Sequence, residues 1–367
     1  MTENRNKLSL VSVRCARIIA IGTAVPDHDI HHAFIDWARQ RLGARRDAAL
    51  FERMAKRSGI SHRWSVLPRS ADGGSPVGEG GFYAASRLPT TAHRMTEYGK
   101  YAPDLAMAAI ANLSTHCSLN GITHLVVASC TGFVAPGVDQ IIAERLELPA
   151  NVERLLVGFM GCYAAIAALR SARHIVRSDA NARVLVVTVE LSTLHLQSDT
   201  ELESLLAMLQ FGDGAAAALV CGDGPGLSIE APFAQNLPDS ADLIRWAIGD
   251  EGFAMHLSGE VPGRITTALR DPEMQNVLTG GKPVSTIDAW AVHAGGRSIL
   301  DAVSTSLALA EPALADSRAV LNEFGNMSSS TLMFVLARQF AAKPASGVAL
   351  AFGPGLAAEG FGFGWVA

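Results

Sequence analysis

Apolar residues fall along this chain in short continuous runs, and between the runs the spacing turns helical. CARIIAIGTAVP (15–26) reads as a buried strand that ends in a turn. Residues 31–57 carry helical spacing with Phe34, Trp37, Leu42, Leu50 and Met54 as inward positions. The Gly/Ser/Pro-rich stretch 71–91 predicts a loop, and a second helix follows over 93–117.

From there strands and helices alternate. THLVVASC (123–130) is a β-branched strand, and PGVDQIIAERL (136–146) a helix with Pro136 near its start. RLLVGF (154–159) is a strand, and CYAAIAALRSARHIVRS (162–178) a helix almost free of polar residues in its first two turns. ARVLVVTVEL (182–191) and GDGAAAALVCG (212–222) are apolar nearly throughout, as strands covered on both faces are. Beyond residue 225 the order partly recurs. DAWAVHAGG (288–296) is strand then loop, and RSILDAVSTSLAL (297–309) a helix. AVLNEFGNMSSSTLMFVLARQFA (319–341) reads as strand, turn and helix, and 346–355 with 360–367 as a final hairpin. The alternation predicts an α/β fold. Two such series predict a duplicated layered architecture, with an N-terminal half over 15–225 and a C-terminal half over 226–367.

Composition narrows the class. Hydrophobic residues make up 49% and charged residues 18%, so much of the 367-residue chain must be buried. Aromatics reach only 6%, which suits close packing of Ala- and Gly-rich helices on sheets. The net charge of −5 speaks against a general nucleic-acid binder. No apolar run approaches the roughly 18 residues that span a bilayer. The polar start, MTENRNKL, lacks the apolar core of a signal peptide. The five cysteines (Cys15, Cys117, Cys130, Cys162 and Cys221) are odd in number, widely spaced and free of any CxxC pair. They suggest neither a disulfide framework nor a zinc site. The reading is a soluble, cytoplasmic protein with no metal.

Three residues stand where chemistry can collect. Cys162, in GFMGCYAA, follows two glycines that allow a sharp strand-to-helix turn. The macrodipole and free N–H groups of a helix start favour a thiolate there, although a lone cysteine is as often a small buried hydrophobe. His293 ends an apolar strand in front of two glycines, the end at which α/β sheets gather ligands. Asn326, in VLNEFGNMSSST, follows another strand and is either a functional amide or a helix N-cap. A cysteine nucleophile gains from a histidine partner, and histidine and asparagine can both donate to an oxyanion. Spacing alone does not bring the three together. Residues 39–63 add Arg39, Arg41, Arg45, Arg46, Arg53, Lys56, Arg57 and Arg63 against Asp47 and Glu52, a basic stretch that suits phosphates or simply a solvated face.

Taken together, GFMGCYAAIAALR, WAVHAGGRSILDAV and VLNEFGNMSSSTLMFVL closely resemble the chalcone synthase-like type III polyketide synthases. THLVVASCTGFVAPGVD, MLQFGDGAAAALV and AFGPGLAAEG match further segments, so the resemblance runs from about residue 15 to the end. It implies the thiolase fold, two similar halves in five layers αβαβα, working as a homodimer. It implies that Cys162 carries the acyl group beside His293 and Asn326, and that Phe211 is an apolar gate between a CoA tunnel and the cavity. The substrates would be malonyl-CoA and an acyl-CoA starter, with no cofactor. Decarboxylative Claisen condensation and cyclisation would give a pyrone, resorcinol or phloroglucinol. Arg53 and Arg57 match basic family positions that contact CoA phosphates, while Leu50 stands where a lysine is usual.

Other positions depart from the plant pattern. Cys130, before Thr131, replaces a threonine that joins a glutamate and a serine in a network for aldol-type cyclisation. The matching residues are Cys130, Glu190 and Ser328, and loss of the hydroxyl puts that network in doubt. Ala135 replaces a methionine that reaches the partner's cavity. Trp246 stands for a cavity-floor glycine and Met255 for a phenylalanine. Ser192 and His195 also fall on the cavity lining. The leading alternative is a single-condensation ketoacyl-acyl-carrier-protein synthase of the initiating kind, and a carrier protein is a possible partner in either case. A Cys/His hydrolase and a non-catalytic acyl-binding homologue fit less well.

Overall fold

The computed structural model describes residues 15–70, 73–85, 87–198 and 200–367. The polar start of the chain lies outside them. Two large sheets carry the molecule. The first has seven strands in the order Trp365–Val366, Gly226–Ser228, Arg17–Ala24, Asp213–Cys221, Val184–Leu191, His124–Ser129 and Glu153–Gly158. The second has four, in the order Ala289–Val292, Gly347–Gly353, Ala357–Phe363 and Glu230–Asn236.

Five layers follow from which faces these sheets must cover. The helix Thr91–Ser114 covers the outer face of the seven-stranded sheet, and the helices Ala164–Ser178 and Ser329–Gln339 fill the space between the two sheets. Val261–Leu269, Pro272–Thr279, Arg297–Ser306 and Ala315–Phe324 cover the far face of the second sheet. Every residue of Val184–Leu191 and Asp213–Cys221 is buried, as a sheet with helices on both faces requires. Alanines at 215–218 keep the layers close. At Gly22 a Cβ would fall 2.2 Å from the Leu113 backbone nitrogen, so only glycine lets helix and strand touch there. Truncating a fully buried residue such as Leu169 or Leu332 to alanine costs on the order of 2–5 kcal/mol.

The structure departs from the sequence reading in four places. Residues 31–57 form two helices, His31–Arg41 and Arg45–Arg57, because the chain leaves helical geometry at Leu42, where ψ is 107°. Met54, expected inside, is exposed on the second. Residues 319–324 belong to the helix Ala315–Phe324 and not to a strand, so Asn326 follows a helix end. Pro136 precedes its helix, Val138–Arg145, across a cis Ala135–Pro136 bond. The final hairpin is Gly347–Gly353 with Ala357–Phe363, and Trp365–Val366 crosses back to the first sheet.

Candidate active site

The position of Cys162 is built by backbone geometry. The strand Glu153–Gly158 ends at Phe159, whose φ of 59° is left-handed and unusual for a bulky residue. Gly161 (φ 70°) then reverses the chain, and a Cβ on it would strike the Pro354 ring at 2.5 Å. Cys162 sits in the 3₁₀ turn Gly161–Tyr163, one turn ahead of the α-helix Ala164–Ser178. An ion pair of 2.8 Å between Arg170 and Glu359 ties that helix to the second sheet.

Cys162, His293 and Asn326 line one small chamber of about 50 Å³, together with Phe211, Cys130, Trp246, Met255 and Ser328. His293 is delivered by the end of Ala289–Val292, its N–H bonded to the Leu350 carbonyl at 2.8 Å. Both of its ring nitrogens are buried without a protein partner. Asn326 is held on every side. Its N–H donates to the Gln210 carbonyl at 2.8 Å, and its carbonyl accepts from Gly212 at 3.0 Å. Its side-chain Oδ1 accepts from the Ser328 N–H at 2.8 Å, and Nδ2 donates to the Gly295 carbonyl at 3.2 Å. Ser328, not Asn326, is the N-cap of the helix Ser329–Gln339.

Burial sets the charge state. Desolvation pushes the Cys162 thiol up to about 12, against the opposing pull of hydrogen bonds from Ser328 and Asn326. It pushes His293 down to about 3. The preformed thiolate expected from the helix start is therefore not favoured in the substrate-free chamber, where desolvation outweighs the dipole. In the substrate-free chamber both groups are neutral, and neither ring nitrogen of His293 has a protein partner.

Behind the chamber lies a larger cavity of about 360 Å³. Cys130, Phe211, Trp246, Met255 and Ser328 line both spaces and form the wall between them. Thr131, Ser192 and His195 line the larger one. Trp246 and Met255 face each other across the hairpin Ile244–Gly249/Gly252–Leu257. The rings of His195 and Trp246 lie parallel to Phe253, with centroids 4.1 and 5.3 Å away. His195 Nε2 reaches the Thr131 carbonyl at 2.6 Å, and its Nδ1 accepts from the Phe253 N–H at 3.1 Å. Burial pushes this imidazole down to about 4, so it stays neutral.

The network around Glu190 is formed despite the missing hydroxyl. Glu190 Oε2 accepts from the Cys130 N–H at 3.0 Å, the Cys130 thiol at 3.4 Å and the Thr131 hydroxyl at 2.8 Å, while Oε1 accepts from Ser329. The Cys130 sulfur lies 3.2 Å from the Ser328 hydroxyl. A thiol thus occupies the link for which a hydroxyl was expected. Desolvation raises both Glu190 and Cys130, Cys130 well above the usual thiol range.

The chain matches the N-terminal domain model of the chalcone and stilbene synthases over residues 4–225 and the C-terminal domain model over residues 232–365. The chain belongs to the chalcone and stilbene synthase family. Relatives include "Alpha-pyrone synthesis polyketide synthase-like Pks18" of Mycobacterium tuberculosis, 34% identical over 274 residues that cover 71% of this chain and 69% of the relative. The protein of the same name from Mycobacterium bovis matches to the same extent. Among solved structures, PKS-I from the brown alga Ectocarpus siliculosus superposes with a TM-score of 0.87 at 28% identity, over 96% of this chain and 99% of that one. The fold is the thiolase fold, and the chain is a type III polyketide synthase, an acyltransferase-type enzyme. The single-condensation alternative finds no support in these matches.

Not every position expected at this synthase site lines a cavity. Ala135 is exposed beside the cis bond and lines neither space of its own chain. Arg53 and Arg57 are exposed on the helix Arg45–Arg57, whose C-terminal end is tied to the histidine loop by an Arg297 bond to the Arg57 carbonyl at 3.3 Å. The reading of the sequence missed Phe253, Thr193 and Tyr83, which also line the larger cavity. Arg63, expected on a basic face, is instead buried, donates to the Met208 and Phe211 carbonyls and lines that cavity. Phe253 had a signal: IRWAIG and GFAMHL are alternating runs separated by two residues, a hairpin pattern.

Proposed function

We propose that this polyketide synthase extends an acyl-CoA starter held on Cys162 with units from malonyl-CoA. The starter thioester is attacked by the Cys162 sulfur while His293 takes the thiol proton, and CoA leaves. Malonyl-CoA then presents its thioester carbonyl to His293 and Asn326. One Asn326 amide hydrogen is used by the Gly295 carbonyl, which leaves the second free for the reacting carbonyl in the chamber shared with Cys162. Donors aimed at that oxygen stabilise the enolate left when carbon dioxide departs. The enolate attacks the acyl-enzyme, and the lengthened chain returns to Cys162. The apolar Phe211 ring disfavours the malonyl carboxylate and favours its loss. The larger cavity takes the growing chain, and cyclisation there gives a pyrone, resorcinol or phloroglucinol-type product. The name of the mycobacterial relatives favours a pyrone.

The observation that carries this reading is the shared chamber of Cys162, His293 and Asn326, closed by Phe211 and backed by the larger cavity. A homodimer is part of the proposal. The edge strand Glu153–Gly158 exposes Leu155 and Leu156, with Phe133 and Phe159 beside it, an apolar border that a second copy would cover. Ala135 would then face the partner's cavity. The cytoplasm supplies the CoA thioesters and keeps thiols reduced. None of the helices among the described residues is long and apolar enough to cross a membrane.

Mass spectrometry of products from malonyl-CoA and a panel of acyl-CoA starters tests the reading, with Cys162→Ala as control. Pyrones or resorcinols that vanish in the variant support it. Absence of product and of carbon dioxide with every starter overturns it.

A further inference from the structure

The helix Arg45–Arg57 carries more positive charge than a CoA entrance uses. At 100° per residue, Arg46, Arg53 and Arg57 fall on one stripe, opposite the buried Phe51 and Ala55. Arg45 is exposed beside it. Among the described residues, the neighbouring cations that find an acid are Arg39, with Asp36, and Lys56, with Glu52. Arg41 stacks on Trp37. Arg45, Arg46, Arg53 and Arg57 have neither kind of partner, in a chain whose net charge is −5.

Position along the helix divides these four arginines. Arg57 sits at the end whose carbonyl accepts from Arg297, four residues beyond His293, and on the synthase reading this is the side on which a pantetheine arm enters. At 1.5 Å per residue, Arg46 lies about 10 Å beyond Arg53 and about 16 Å beyond Arg57. The screening length at physiological salt is about 8 Å, so Arg45 and Arg46 add little to the binding of CoA phosphates held near Arg53 and Arg57. Helix stability does not explain them either, because cations in a first turn oppose the macrodipole, and Ala44 offers no side-chain cap.

We propose that Arg45 and Arg46 extend the entrance into a docking surface for an acyl carrier protein, a small acidic domain that bears the same phosphopantetheine arm as CoA. The inference rests on the polyketide synthase reading and adds the donor of the starter. The carrier's acidic face meets Arg45 and Arg46, while its arm passes Arg57 towards Cys162. Transfer is the same thioester exchange as from CoA: the Cys162–acyl bond forms, the carrier's thioester breaks, and the pantetheine sulfur leaves with the thiol proton.

The test compares octanoyl-CoA with the octanoyl thioester of a bacterial fatty-acid carrier protein as starter, malonyl-CoA being the extender in both. The double variant Arg45→Glu/Arg46→Glu is expected to lower kcat/KM for the carrier-borne starter about tenfold or more, with the effect shrinking at high salt, and to leave kcat/KM for octanoyl-CoA within about twofold. Arg53→Glu/Arg57→Glu should lower both. Equal loss from the two starters in the first variant, or no transfer from the carrier protein while octanoyl-CoA is used, overturns the proposal. Sedimentation of the wild type with anionic vesicles, lost in the same variant and without carrier transfer, would assign the surface to lipid and overturn it as well. If no acyl-CoA of the starter panel gives product, the synthase reading itself fails.

Discussion

Phe211 and Asn326 pair through an isolated parallel β-bridge, so the candidate gate and the amide of the candidate oxyanion site are tied backbone to backbone. Their side chains can be separated where their backbones cannot. Phe211→Ala should open the wall between the two cavities and leave the Asn326 hydrogen bonds in place. The expected result is a changed product distribution by mass spectrometry with a stability loss of about 1–3 kcal/mol by denaturant titration. An unchanged distribution would remove Phe211 from the gate.

Asn326→Asp keeps the Oδ1 acceptor for the Ser328 N–H and loses the donor. Release of carbon dioxide from malonyl-CoA should fall by about 10²–10³, and the lost donor to the Gly295 carbonyl should lower stability by about 1–3 kcal/mol in denaturant titration. Release of carbon dioxide at the wild-type rate by the folded variant would remove the amide from the oxyanion site.

Cys162→Ala is expected to abolish every condensed product. The thiol sits at a chamber wall, so its removal should destabilise far less than the 2–5 kcal/mol typical of a large core truncation. Retention of product in this variant would move the acyl group to another residue.

Asp213 gives a pH test. It is fully buried, accepts from the Thr193 and Val66 N–H groups and the Thr193 hydroxyl, and desolvation pushes it up to about 7 from an ordinary 3.8. Between those values the folded chain holds a proton that the unfolded chain has released. The contribution of this carboxyl is therefore full below about 4 and is lost as pH rises to about 7. Denaturant titrations across that window should show a downward slope with rising pH that is smaller in Asp213→Asn. Identical slopes would place the carboxyl in its ordinary range.

Much of this was legible in the residues. Continuous apolar runs such as Val184–Leu191 marked strands covered on both faces, and the motifs around Cys162, His293 and Asn326 named the family. What escaped had a physical reason. VLNEFG is apolar enough for a strand, yet VLNEF lies in the helix Ala315–Phe324, where Val320 packs into the layer between the sheets and Leu321 into the core on the far side of the second sheet. The break at Leu42 carries no proline, so helical spacing ran through it. The charge of Cys162 depends on desolvation by residues distant in sequence, which no local pattern reports. The Glu190 network survived because sulfur can stand in for oxygen at 3.2 to 3.4 Å, a distance visible only in three dimensions.

Trp246→Gly should merge the two cavities. Larger cyclised products are expected from the same starter, read by mass spectrometry, with carbon dioxide release per enzyme little changed. A loss of all turnover would show that the indole supports the chamber rather than dividing it.

The hairpin Ile244–Leu257 belongs to neither large sheet, yet it supplies Trp246, Phe253 and Met255 to the cavity walls. Cys162, His293 and Asn326 come from the interlocked layers, where Gly22 and Gly161 leave no room for a methyl group. The molecule therefore divides its tolerance for change. On the proposed function, the reaction is locked into the part of the fold that resists variation, and the shape of the product is written on an appendage that can drift. A lineage could diversify its chemistry of products by altering one ribbon, without re-evolving the catalyst.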